Sequence, residues 1–148
     1  MEHVKEIYQN GIHPAVHALD LEKLKWKLSE SSESKMTKQQ CLFAEQEYCR
    51  YLTLKKLYPS VELVPNKLVD EFWHAHILDT RAYHEDCNNM FGYYLHHFPY
   101  FGIHDQNDYQ NLVTAFDKTK NLYEKHFGQY PNELDHAARC IINGVRLD

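Results

Sequence analysis

Apolar residues recur at helical spacing along almost the whole chain, and no stretch alternates apolar and polar residues for long enough to compete as a strand. A chain of that pattern builds its core by burying helix stripes against one another, so an all-α fold is expected. From about 15 to 28, His17, Leu21, Leu24 and Leu28 fall on one helical face, and Ser29 to Ser34 then forms a polar break. Thr37 with Gln40 three residues later reads as a capping box. It opens a long helix that runs to Tyr58, is stopped by Pro59, and turns Cys41, Ala44, Tyr48, Tyr51 and Leu52 inward. Asn66, after Pro65, caps a third helix to about Leu78, and Asp79 or Thr80 caps a continuation that ends at Gly92. A fourth helix from about Asn107 to Phe127 carries Tyr109, Leu112, Phe116 and Tyr123 and stops at Gly128. A short last helix after Pro131 turns Leu134, Ala137, Ala138 and Ile141 inward. The expectation is one helical domain over residues 1–148, a bundle of about five helices with an aromatic, His-rich loop between Gly92 and Asp105.

The chain has 148 residues, 43% of them hydrophobic, so roughly two-thirds of the unfolded surface can be buried in one core. No apolar run approaches the ~20 residues of a membrane span. The polar start, Met1 to Glu6, lacks the apolar stretch of a secretory signal, which makes the cytoplasm the expected location. Cys41, Cys49, Cys87 and Cys140 contain no C-x-x-C pair, which argues against zinc ribbons, thioredoxin-like motifs and a disulfide framework. The net charge of −5 is unevenly placed. Residues 61–110 hold two bases, Lys67 and Arg81, against eight acids, together with six of the eleven histidines and half of the aromatic residues. No basic stripe balances them, so neither nucleic acid nor a membrane surface is an expected partner. The pattern does not specify an oligomeric state.

Carboxylates and imidazoles thus converge on the motif segment 61–105. On a helix Asp70 and His74 are i, i+4, with Cβ atoms about 6 Å apart, close enough to share one cation. Glu71 and His74 have the E-x-x-H spacing of carboxylate metal bundles. His76 lies about 200° around the helix from His74, so it belongs behind the ligands or facing a substrate. A third ligand must come from elsewhere, and of the adjacent His96 and His97 in the aromatic loop only one can point inward. Asp70, His74 and His97 are therefore the expected metal ligands. Phe72, Trp73, Ile77 and Leu78 flank His74, so its imidazole is expected to be half-buried and to need polar partners.

The run Asp70-x-x-Trp73-His74-x-His76-Ile77-Leu78, followed by Tyr83, Cys87, Gly92 and His97-x-Pro99, resembles the glycine-rich domain-containing protein-like family, a domain of unknown function found in bacteria and, with longer extensions, in plants. The resemblance covers about a third of the chain. It implies motif positions for Asp70, His74, His76, Cys87 and His97.

Two imidazoles and one carboxylate leave coordination positions open, which suits non-haem iron(II) and is also accepted by zinc or copper. The favoured reading is a small metal-dependent enzyme with Glu71, His76 and Tyr83 as candidate catalytic groups and a small-molecule or peptide substrate. Its alternative is a non-catalytic interaction or structural module built on a hydrogen-bonded His-rich core or a structural metal. Glu45, Glu71, His74, Glu133 and His136 offer a dinuclear arrangement one carboxylate short of the ferritin-like set. Cys87 is expected to act as a small buried hydrophobe. A Cys87–His84 nucleophile lacks an evident oxyanion hole, and the Met1 amine with His3 forms a copper-like chelate.

Overall fold

A computed structural model describes residues 10–139. Among them the chain forms six helices and no strand: α1 (Pro14–His17), α2 (Glu22–Ser29), α3 (Lys38–Leu57), α4 (Lys67–Leu78), α5 (Thr80–Phe91) and α6 (Gln106–Phe127). A 3₁₀ turn at Asn132–Leu134 follows. The fold is an all-α bundle, as the periodicity requires. None of the described helices is long and apolar enough to cross a membrane.

α3 is the central element and packs against α1, α2, α4 and α6. Its capping box forms in both directions, Thr37 Oγ1 accepting from Gln40 N and Gln40 Oε1 from Thr37 N. The expected inner face, Cys41, Ala44, Tyr48, Tyr51 and Leu52, is buried. One core cluster runs from Ile12 to Leu134.

The boundaries depart from expectation in two places. The helix expected over 15–28 is two helices. Asp20 Oδ1 accepts from Glu22 N at 3.1 Å, so a local side-chain turn restarts the backbone after α1. Leu21, Leu24 and Leu28 are buried, whereas His17 is exposed. The last helix is absent from the described residues beyond the 3₁₀ turn. There Ala138 N donates to Pro65 O at 2.9 Å, and Ala137 bridges Asn66, so a tertiary pairing takes the backbone groups a helix would have used. Leu134 is buried, Ala137 and Ala138 are half-buried, and Ile141 lies outside the described residues.

Two features place the segment of interest. Asn66 Oδ1 accepts from Val69 N at 2.9 Å and caps α4, while its Nδ2 donates to the Tyr130 hydroxyl at 2.7 Å. α4 and α5 then fold back on one another across Asp79. Gly92 ends α5 in the left-handed conformation (φ 77°), and the chain enters the irregular loop 92–105.

Candidate metal centre

α4 begins two residues after Pro65, which sets Asp70 in its first turn and His74 one turn further on the same face. Asp70 Oδ2 and His74 Nε2 are 3.8 Å apart. His97 arrives from the loop, its Nε2 hydrogen-bonded to Asp70 Oδ1. The ligand atoms of Asp70, His74 and His97 lie within 4.8 Å of one another, the only group of three such residues among those described. The three form a candidate metal-binding group.

A chain of buried polar contacts holds the loop that carries His97 in place. Trp73 Nε1 donates to the Tyr83 hydroxyl at 2.9 Å, and that hydroxyl donates to the Leu95 carbonyl at 2.5 Å. Leu95 is buried and stands two residues before His97, so α4 and α5 jointly fix the loop next to that histidine. Trp73 also forms the floor of the site, its ring 4.2 Å from that of His97 and 5.5 Å from that of Tyr51. At its far end Gly102 N donates to Asp108 Oδ2, and the Gly102 carbonyl accepts from Arg139.

Ligand atoms around one ion at bond lengths of about 2.0–2.2 Å stand roughly 3.0–3.5 Å apart. Asp70 and His97 stand closer than this, in direct hydrogen bond, whereas Asp70 and His74 stand farther apart, at 3.8 Å. His97 is 11% exposed and held by its bond to Asp70, whereas the His74 side chain is 53% exposed. The donor types fit a divalent ion, and the geometry would fit one once the Asp70–His97 hydrogen bond opens and His74 turns inward.

The group opens onto a cleft of about 460 Å³ whose wall includes Tyr51, Lys55, Trp73, His96, Phe98 and Arg139. Glu71, His76 and Tyr83 do not line it. His76 is turned to the interior of α4, 2% exposed. Its Nε2 meets Asp86 Oδ2 at 2.8 Å, and its Nδ1 meets the Tyr48 hydroxyl at 2.7 Å. Since a carboxylate only accepts, His76 Nε2–H donates to Asp86 and Nδ1 accepts from the Tyr48 hydroxyl. Burial pushes His76 below the usual imidazole range, against the pull of Asp86. Tyr83 is buried and spends its proton on Leu95, and burial raises its phenol well above the usual range. Cys87 is buried, and burial raises its thiol too, consistent with a small core residue.

The dinuclear arrangement is not assembled. Glu45 pairs with Lys25 at 3.2 Å, and Glu133 and His136 are exposed in and after the 3₁₀ turn, where no helix holds their E-x-x-H spacing on one face. His84 and His104 are exposed as well. Met1 and His3 lie outside the described residues.

Three participants escape the sequence reading. Lys55 is one turn beyond Tyr51 on α3, a spacing that could have placed it on the inner face. Asp86 and Arg139 reach their positions through tertiary packing alone, and nothing local marks them.

Residues 16–140 match the UCP032817-like family, and the chain belongs to it. The matched span contains all three residues of the candidate group. No curated protein and no solved structure matches the chain.

Proposed function

We propose that Asp70, His74 and His97 hold one divalent metal ion and that the adjoining cleft is the active site of a small metal-dependent enzyme. Iron(II) is the favoured ion, and the same donors accept zinc or copper. The observation that carries this reading is the convergence of an aspartate and a histidine one helical turn apart with a histidine from a loop remote in sequence, at the wall of a cleft. A bound ion would supply Lewis acidity and, if it is iron, redox chemistry at coordination positions the protein leaves open. Asp70 contributes the negative charge, His97 the rigid donor and His74 the adjustable one. Trp73 shields the far side of the group from water. Of the groups able to accept a proton and not among the three candidate ligands, His96 and Glu62 line the cleft whereas Glu71, His76 and Tyr83 do not, so proton transfer falls to His96 or Glu62 in this reading.

One observation favours a second reading. His97 is already hydrogen-bonded to Asp70 and stacked on Trp73, a packing that can stand as a structural core without an ion. Plasma mass spectrometry on protein purified without chelator separates the two. Near-stoichiometric iron, zinc or copper, lost in His74→Ala with the helical signal intact, supports the metal centre. Protein that refuses all three metals on reconstitution leaves the structural reading.

A further inference from the structure

The cleft holds a second chemical feature besides the three candidate ligands. Tyr51 and Lys55 sit one turn apart on α3, and the Lys55 ammonium lies 5.6 Å from the centroid of the Tyr51 ring. From there the rings run in a row: Tyr51 to Trp73 at 5.5 Å, Trp73 to His97 at 4.2 Å, His97 to His74 at 4.8 Å. An ammonium and a candidate metal centre thus face the same cleft, with two aromatic rings between them.

Lys55 makes no contact ion pair among the described residues, although it is half-buried, and burial lowers its affinity for a proton against the more distant pull of Glu62. A half-buried cation with no carboxylate in contact is left only partly neutralised. Arg139, the other cation of the wall, is committed to the Gly102 carbonyl and lies over the Tyr109 ring. Lys55 and Arg139 balance Glu62 and Asp70 across the cleft wall, so a divalent ion would leave the cleft net positive. A single ammonium matches a single negative charge better than a phosphate dianion, for which Gly-rich loops and clustered donors are the usual provision.

We infer that the cleft takes an organic carboxylate on an apolar or aromatic body, with Lys55 holding the carboxylate and the body lying across Tyr51 and Trp73 toward Asp70, His74 and His97. The inference deepens the metal-centre reading and rests on it for the chemistry at the far end. Lys55 is the specificity-determining residue. A neutral analogue of the same shape leaves its charge unanswered and binds less well.

The test is calorimetric titration of the zinc-loaded full chain with hydrocinnamate and with hydrocinnamyl alcohol, in the wild type and in Lys55→Met. Zinc content and circular dichroism are measured on both proteins. The carboxylate is expected to bind at least about tenfold more tightly than the alcohol, and Lys55→Met is expected to erase that preference while zinc content stays at the wild-type level. No binding of the carboxylate, equal affinity for the two probes, or a preference that survives Lys55→Met because the acid sits on the metal alone overturns the inference and leaves the metal centre standing. Should Lys55→Met lose its helical signal, Lys55→Gln is titrated in its place. A wild-type chain that takes up none of zinc, iron(II) and copper refutes the metal centre instead, and the same two probes on that chain decide the Lys55 subsite by the same criterion.

Discussion

The Tyr83 hydroxyl does its work by position. It accepts from the Trp73 indole and donates to the Leu95 carbonyl, both buried, and so connects the helix that carries Asp70 and His74 to the loop that carries His97. Tyr83→Phe removes both bonds without opening a cavity. It should lower stability by about 1–3 kcal/mol, the cost of leaving a buried donor and acceptor unpaired, and the loss should appear in the denaturant midpoint with metal content nearly preserved. Unchanged stability would contradict the positioning role. At this scale the sequence was readable where the partners are one helical turn apart. Asp70 and His74 follow from their spacing, and His97 from the need for a third donor. The sequence did not reveal which carboxylate is buried: Glu45 has the apolar neighbours, yet it reaches Lys25, while Glu47 is the one enclosed, bonded to Arg50 and Tyr123. Tyr123 is 76 residues from Glu47, so only the i, i+3 pairing of Glu47 with Arg50 was local enough to be seen.

Helix ends were legible for the same reason. The capping box of α3, the Asn66 cap of α4 and the glycine end of α5 are short-range chemistry and form as the residues dictate. Asn66→Ala removes the α4 cap and the bond to Tyr130 together, and should cost about 1–2 kcal/mol. A thermal melt that matches the wild type would refute the double role. Irregular segments depend on tertiary partners instead. The chain after Pro131 has a helical spacing of apolar residues but pairs its backbone with Pro65 and Asn66, which no local signal announces. Loop 92–105 is likewise held from outside. A Cβ on Gly102 would stand 2.5 Å from Leu112 Cδ2, and the residue has φ +85°. Gly102→Ala therefore combines backbone strain with a steric clash and should destabilise the protein by about 1–3 kcal/mol, read from urea unfolding. Wild-type stability in that variant would show that the loop yields freely.

Over the whole molecule, the aromatic and thiol content of the core fixes how stability responds to alkali. Burial raises Cys49 and Tyr130 to about 12. In the unfolded chain such groups titrate near about 8.5 and 10. The folded state keeps protons that the unfolded state releases, so this contribution is complete below about pH 8.5 and is lost as pH rises toward 12. Melting temperature should fall progressively above about pH 8.5, and a flat profile through that window would contradict the burial of these groups. An all-α bundle was legible because a uniform helical period has few packing solutions; the cleft was not, because α3, α4, loop 92–105 and the segment near Arg139 build it jointly. The central claim is that this cleft is a metal centre. The most direct test is diffraction from crystals soaked in zinc or iron(II), with data collected at the absorption edge of the metal. The account predicts an anomalous peak at about 2.0–2.2 Å from Asp70, His74 and His97. Crystals that show no peak between these three side chains would contradict it.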